Sequence, residues 1–340
     1  MPLWEQRLQE VLDSLVAAGA AGVLMHYRDD HGTWRGASGV AELGTAKPVD
    51  PAGSFRIGSV TKTFTATVVL QLAGEGMLSL DDKLDRWLPG VVPAGDGITL
   101  RQLLNHTSGL YNYTADLPDA AGIVRERFVH WDPSRAVGMA TERGPSFEPG
   151  ATRSYSNTNY ILLGLVIEAA TGRTYDTEVH DRILSPLDLQ QTFVPGDDVT
   201  LPEPHAHGYL AVDGVLVDMA EFNPSQAWAA GEIVSTAADL NRFYAALLTG
   251  ELLRPEELRA LQTTVPTDEA FHLGGLGISR LNLPNLVVWG HSGGIFGYRT
   301  WSYHSADATR QATVSLSTTD AAAPETYDLL VSVFDSASQA

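Results

Sequence analysis

The stretch FRIGSVTK, residues 55–62, opens a predicted helix that runs from about Ser59 to Ala73 and is stopped by two glycines. Side chains three positions apart share one face of a helical turn, so Ser59 and Lys62 are expected side by side. The unpaired N–H groups of that first turn favour developing negative charge. A serine hydroxyl becomes a nucleophile once a neighbour takes its proton, and a lysine kept neutral can take it. The same four residues also fit a serine that caps a helix beside an exposed lysine.

The chain changes in character on either side of this helix. It begins with a helix and strands, becomes helical in the middle, and ends with strands and a helix, which predicts an α/β layer built from both termini around a largely helical insertion. The predicted helices are 3–18, 158–171 and 324–337, and the predicted strands are 21–28, 33–40, 284–290, 296–303 and 311–318.

The composition excludes several classes of function. The 340 residues include no cysteine, which excludes disulfides, thiolate catalysis and cysteine-ligated zinc or iron–sulfur sites. The chain has 41 acidic and 22 basic residues and a formal net charge of −19, so we expect neither nucleic acid nor an anionic membrane surface as a partner. The hydrophobic share of 44% is that of an ordinary globular protein.

The first residues of the sequence are used to predict where in the cell the protein is located. They carry Glu5, Arg7, Glu10 and Asp13 and no uninterrupted apolar stretch, so they do not resemble a signal peptide. No apolar run in the sequence reaches the roughly 18 residues that span a bilayer. We therefore expect a cytoplasmic protein, or a secreted one if the sequence is that of a mature form.

Two further motifs carry polar groups suited to acyl transfer. In the first, Tyr155-Ser156-Asn157, a phenol can relay a proton and an amide can orient a substrate or a lysine. In the second, residues 291–294 (HSGG), the glycines allow a close approach to the backbone and a free N–H can receive an oxyanion. Taken singly, the first motif also reads as a polar turn that caps a helix.

Other patterns weigh less. Residues 290–294 (GHSGG) match the G-x-S-x-G nucleophile elbow, but only His304 follows Ser292 and no acid lies between them, so the required order of triad residues is absent. His205 and His207 form a two-ligand metal fragment without the acidic partners of a metalloenzyme motif, and we expect no metal. The polar turn 105–110 (NHTSGL) is interpreted as architectural.

The motifs in their order resemble one family. S-x-x-K at 59–62, Y-S-N at 155–157 and H-x-G at 291–293 resemble the penicillin-recognising serine hydrolases, which include DD-peptidases, class C β-lactamases and esterases. The likeness is greatest to the D-alanyl-D-alanine carboxypeptidases and runs over roughly residues 5–335. It also covers the flanking segments 55–58 (FRIG), 103–110 (LLNHTSGL) and 147–150 (FEPG).

The resemblance implies a β-lactamase/transpeptidase-like fold of the α/β (α+β) class. An antiparallel sheet flanked by helices would be formed by residues 1–58 and 230–340, and a mostly helical domain by residues 59–229. The active site would lie in the cleft between the two domains. The resemblance implies no cofactor.

The resemblance also implies an acyl-enzyme mechanism. Ser59 would attack a carbonyl carbon, and Lys62 and Tyr155 would share the proton transfers. His291 would form a third wall and add some positive potential. The N–H groups of Ser59 and Gly294 would form the oxyanion hole. The substrate-binding positions would be Asn157, Trp228, Ser292, Gly293 and Gly294, with Arg280 and Arg299 as candidate carboxylate ligands.

Two departures from the carboxypeptidase pattern bear on the substrate. The arginine that follows a Gly-Leu-Gly-Leu run is replaced by Ser279, unless the strand shifts by one residue, and Ser292 and Gly294 stand where threonines would be. An arginine contact to a buried carboxylate contributes on the order of 2–5 kcal/mol. We therefore expect a small ester or amide as substrate, with water or an amine as acyl acceptor. The alternatives are a D-alanyl-D-alanine carboxypeptidase or D-aminopeptidase, and, in another class, a non-catalytic β-lactam-binding protein.

Overall fold

A computed structural model describes residues 2–317 and 323–338. The helices in these ranges are α1 (Leu3–Ala17), α2 (Thr61–Gly74), α3 (Leu84–Trp87), α4 (Leu100–Leu104), α5 (Ala120–Glu126), α6 (Pro133–Arg143), α7 (Thr158–Thr171), α8 (Tyr175–Val179), α9 (Ala237–Leu248), α10 (Pro255–Leu261) and α11 (Thr326–Ser338). The strands are β1 (Gly22–Asp29), β2 (Gly32–Gly39), β3 (Phe55–Arg56), β4 (Tyr209–Val212), β5 (Val215–Asp218), β6 (Val234–Ser235), β7 (Val265–Pro266), β8 (His272–Gly274), β9 (Ser279–Asn282), β10 (Val287–Ile295), β11 (Tyr298–Ser305) and β12 (Gln311–Ser317).

The described residues place eight strands in one sheet, in the order β2-β1-β12-β11-β10-β9-β8-β7, with every neighbouring pair antiparallel. β1 pairs with β12, from Gly22 opposite Ser317 to Arg28 opposite Gln311, so strands from the two ends of the chain are neighbours, second and third from the β2 edge of the sheet. The antiparallel sheet expected from the resemblance is confirmed. The boundaries of the two predicted domains stay a prediction.

Helices cover both faces of the sheet. On one face, Leu12 of α1 and Leu330 of α11 pack with Trp301 and Val314 in a single hydrophobic cluster. On the other face, α9 contacts β11 and β12, and α2 contacts β10. Successive side chains of a strand point to opposite faces of the sheet. The position of a residue in its strand therefore decides which face its side chain lies on.

The two central helices are buried almost all round. Every residue of α2 from Thr61 to Leu70 is buried, and α7 packs beside it. α7 matches the predicted span because Gly172 ends it in the left-handed conformation, with φ 69°. A helix this apolar is stabilised by packing inside the protein.

The strands near the C-terminus differ from the prediction. β10 extends through the HSGG motif to Ile295, whereas the predicted strand ended at residue 290. The glycines lie inside the strand because another part of the backbone packs closely against it: a Cβ on Gly293 would collide with the carbonyl oxygen of Ile57. The turn lies instead at Gly297, with φ 85°.

No helix in the described ranges is long and apolar enough to cross a membrane.

Candidate active site

Ser59 lies in a short 3₁₀ turn, Gly58–Val60, which leads directly into α2. Gly58 has a φ of 52°, and a Cβ on it would lie 2.6 Å from the nitrogen of Gly294 on β10. Glycine is therefore required for this turn to approach the strand. β9 pairs with β10 only over residues 287–290 of β10. The later residues of β10 have no partner in β9, and they face the turn that carries Ser59.

Lys62 is fully buried and lies within hydrogen-bonding distance of three oxygen atoms. Its Nζ is 2.9 Å from Ser59 Oγ, 2.7 Å from Asn157 Oδ1 and 2.7 Å from the carbonyl oxygen of Ala230. Three acceptors would also suit an ammonium group. None of the three is a carboxylate, however, and burial lowers the pKa of Lys62 well below its ordinary value. A neutral amine would donate its two hydrogens to Asn157 and Ala230 and keep its lone pair for the hydroxyl of Ser59.

Tyr155 completes the polar group around the serine. Its ring centroid is 5.0 Å from Lys62 Nζ, and its hydroxyl group hydrogen-bonds with Ser59. Burial raises the pKa of Tyr155 above the ordinary value of 10.0. The phenol is therefore neutral at ordinary pH and has one proton to donate.

Asn157 is held by residues that the sequence analysis did not identify. Asn112 Oδ1 accepts from the backbone N–H of Asn157 at 3.0 Å and from its Nδ2 at 3.2 Å, and Thr114 Oγ1 accepts from Nδ2 at 3.2 Å. These contacts turn Asn157 Oδ1 towards Lys62. Residues 111–114 (YNYT) carry no motif, so only the fold reveals this role.

His291 is 7% exposed, and its Nδ1 lies 2.5 Å from the carbonyl oxygen of Ser292. Burial lowers the pKa of His291 to about 3. A neutral imidazole supplies no positive potential, so that part of the expectation is not supported, and the role of His291 in the site stays a prediction. Its ring centroid lies 6.4 Å from that of Tyr155, so it forms an uncharged wall of the site.

A cavity of about 460 Å³ opens beside Ser59. Its walls combine aromatic and aliphatic side chains with backbone, and Arg299 is the only charged residue among the described residues that line it. The guanidinium of Arg299 occupies the space above Gly294, its partner in the neighbouring strand, where a Cβ would collide with it. The lining residues are Ser59, Tyr113, Thr114, Leu117, Asn157, Leu210, Gln226, Ala227, Ala230, Gly231, Gly294, Ile295, Phe296, Gly297, Tyr298 and Arg299.

Ser292 and Trp228 are placed differently from expectation. Ser292 pairs with Trp301, on the sheet face covered by α1 and α11, and lines a separate cavity of about 390 Å³. The indole of Trp228 packs over Gly164 and lies 5.5 Å, between ring centroids, from Tyr175. Neither side chain lines the cavity beside Ser59.

Ser279 and Arg280 lie on opposite faces of the sheet. Ser279 pairs with Gly290 and Arg280 pairs with Trp289. Ser279 Oγ is 2.9 Å from His272 Nε2. Arg280 does not line the cavity beside Ser59, which leaves Arg299 as the guanidinium that does.

The described residues offer little for a metal ion. The rings of His205 and His207 lie 5.3 Å apart, and His207 Nδ1 is 2.6 Å from Asp218 Oδ2. Within the described ranges, only Asp29, Asp30 and His31 bring three candidate ligand atoms within 4.8 Å of one another, and they lie on a partly exposed turn. Neither group adjoins Ser59.

The lowered pKa of Lys62 predicts a pH dependence. If neutral Lys62 accepts the proton of Ser59, kcat/KM rises with pH through this lowered pKa, and its acid limb lies well below the ordinary lysine value of about 10.4. Asn157→Asp would place a carboxylate 2.7 Å from Nζ. The anion favours the ammonium form, so we expect the acid limb to move up by about 1–3 pH units.

The measurement is the pH profile of kcat/KM for the wild type and the variant. Asn282→Asp, on β9 outside the site, is the matched control and should leave the profile in place. An unchanged acid limb in Asn157→Asp would show that Lys62 is not the titrating base.

Comparisons with known proteins agree on one family. A sequence model described as Beta-lactamase matches residues 5–330. Penicillin-binding protein 4* of Bacillus subtilis is 30% identical over 84% of this chain and 64% of its own length. The chain spans about three fifths of the length of the curated relatives that it matches first.

Two solved structures resemble the chain over nearly their whole length. A D-stereospecific amidohydrolase from a Streptomyces species has a TM-score of 0.90 and 38% identity, covering 97% of this chain and 98% of its own. D-amino acid amidase from Ochrobactrum anthropi SV3, in complex with L-phenylalanine amide, has a TM-score of 0.85 and 27% identity, covering 98% of each chain.

Proposed function

The chain belongs to the beta-lactamase family, and from that premise we propose that it is a serine hydrolase that works through an acyl-enzyme at Ser59. One observation carries the proposal: Ser59 Oγ lies 2.9 Å from the Nζ of a fully buried lysine, at the edge of a cavity of about 460 Å³. A lysine kept neutral by burial activates a hydroxyl that it can reach.

The reaction begins with attack of Ser59 Oγ on the substrate carbonyl carbon while Lys62 Nζ takes the hydroxyl proton. The N–H groups of Ser59 and Gly294 receive the oxyanion. The tetrahedral intermediate then collapses and the bond to the leaving amine or alcohol breaks. Tyr155 passes its proton to the leaving group and receives the proton that Lys62 took from Ser59. Water or an amine then attacks the carbonyl carbon of the acyl-enzyme and gives up a proton to Lys62. The bond between that carbon and Ser59 Oγ breaks, and the proton passes through the same pair to Ser59 Oγ, which restores the hydroxyl.

We propose small D-amino acid amides or esters as the substrates. Two features support this assignment: the similar proteins named above are a D-stereospecific amidohydrolase and a D-amino acid amidase, and the cavity has the size of a small-molecule site. Tyr113, Leu117 and Phe296 supply apolar surface for the side chain of an amino acid. Asn157, beside Lys62, supplies an amide group for polar contacts with the acyl part.

The leaving group is expected to be neutral, because Ser279 and Gly294 provide no charged ligand for a carboxylate. The test compares kcat/KM for D-alanine amide and D-alanine methyl ester with that for D-Ala-D-Ala, with and without an added amine as acyl acceptor. We expect the neutral substrates to be preferred. A preference of tenfold or more for the free acid, about 1.4 kcal/mol, would contradict this expectation.

Arg299 favours a second candidate, a D-alanyl-D-alanine carboxypeptidase or other peptidase whose leaving group carries a carboxylate. Its guanidinium lines the cavity beside Gly294 and has no ion-pair partner among the described residues. In that case Arg299→Gln would lower kcat/KM for the acid at least about tenfold and leave the neutral amide unchanged. Equal effects on both substrates would exclude this role.

A non-catalytic β-lactam-binding protein would be distinguished from an enzyme by its lack of turnover. Such a protein would retain a penicilloyl group on Ser59 and release no product from any ester or amide, which intact-protein mass spectrometry over time would detect.

The cytoplasmic location also stays a prediction, to be checked by cell fractionation.

A further inference from the structure

His106 lies directly behind Tyr155, in the NHTSGL turn that the sequence analysis interpreted as architectural. It is 4% exposed. Its ring centroid is 4.3 Å from that of Tyr155, with 32° between the ring planes, and 5.3 Å from that of Tyr160. The phenol of Tyr155 therefore has the imidazole as one wall.

His106 also binds the backbone on both sides of Tyr155. Its carbonyl oxygen accepts from the N–H of Ser154 at 3.0 Å, and its Nδ1 accepts from the N–H of Ser156 at 3.2 Å. Nδ1 lies 3.3 Å from Asn159 Nδ2 as well. An acceptor at Nδ1 places the proton of a neutral imidazole on Nε2.

Two surrounding features keep this arrangement in place. His106 has a φ of 64°, the left-handed region that few residues other than glycine and asparagine adopt readily. Asn159, which lies beside Nδ1, is oriented by Ser108, whose Oγ donates to Asn159 Oδ1 at 2.7 Å. A strained backbone of this kind persists only where its neighbours hold it, and such residues cluster at functional sites.

We propose that His106 is the positioning residue for Tyr155: it fixes the backbone before and after the tyrosine and packs against its ring, so that the hydroxyl stays directed at Ser59. The inference rests on the proposed function, which assigns the proton relay to Tyr155. Because His106 acts through Tyr155, its removal should slow acylation rather than weaken substrate binding.

The test uses two variants that both tolerate the left-handed backbone. His106→Asn keeps an acceptor within reach of the Ser156 N–H, whereas His106→Gly removes both the acceptor and the ring. We expect the glycine variant to lower the rate of Ser59 acylation by a D-amino acid ester, and kcat, by about 100-fold with KM little changed. The asparagine variant should recover at least about tenfold of that loss.

A background variant separates positioning from general stability. In Tyr155→Phe, which lacks the hydroxyl to be positioned, His106→Gly should add little further loss. Asp188→Gly, at an exposed position with a φ of 55° outside the site, is the control for loss of a left-handed side chain and should acylate normally.

Two results would overturn the inference: an equal loss from His106→Gly with and without the Tyr155 hydroxyl, or wild-type acylation in both His106 variants. If the glycine variant does not fold, the same comparison of acylation rates is made with His106→Asn, in the wild-type background and in Tyr155→Phe. Failure of the proposed function is seen separately, because the wild-type protein itself would then not be acylated.

Discussion

Ser59→Ala is expected to lower kcat by about 10⁴- to 10⁶-fold, because nothing else described at this site can form the acyl bond. The hydroxyl is lost while the helix that follows Ser59 remains, since α2 is held by its buried residues from Thr61 to Leu70. The melting temperature should therefore change little. The measurements are turnover of a D-amino acid ester, thermal unfolding, and peptide mapping of a fluorophosphonate adduct.

Ser292→Ala is the matched control for this variant. Ser292 lies in the rival G-x-S-x-G pattern, yet its side chain is on the face of β10 that is covered by α1 and α11. Its removal should leave the rate of acylation near that of the wild type. An adduct mapped to Ser292, or wild-type turnover in Ser59→Ala, would show that the nucleophile has been assigned wrongly.

Lys62→Ala and Tyr155→Phe should each lower the rate of acylation by about 10²- to 10⁴-fold, because each removes one participant in the proton transfer from Ser59. The two residues act on the same proton, so the double variant should be little slower than the slower single variant. The measurement is a double-mutant cycle on the rate of Ser59 acylation, with circular dichroism of each variant as the check on folding.

Lys47→Ala controls for the loss of a lysine elsewhere, since Lys47 forms an exposed ion pair with Glu203. It should acylate normally, because an exposed pair contributes little and does not touch the site. A double variant whose barrier increase equals the sum of the two single increases would mean that Lys62 and Tyr155 act independently. A normal rate in either single variant would remove that residue from the mechanism.

Local signals in the sequence were sufficient to predict several helices and strands. Helix α7 begins and ends where predicted because an uninterrupted apolar run stops at a glycine that adopts the left-handed conformation. The first two strands differ by only one residue at each end, since Asp29–Gly32 has the composition of a tight turn. The ordered motifs also indicated the family before any contact was known, because their spacing along the chain is a property of the sequence alone.

Which side chains meet depends on the three-dimensional fold. Ser292 and Gly294 are two residues apart and lie on the same face of β10, yet Gly294 lines the cavity beside Ser59 and Ser292 lines a separate cavity. Arg299 reaches that cavity because its partner in β10 lacks a side chain. The support of Asn157 by Asn112, and of Tyr155 by His106, joins residues about 45 and 49 positions apart, as only long-range folding can. Burial, which lowers the pKa of Lys62 and keeps His291 neutral, is likewise a property of the surrounding structure and not of the residues themselves.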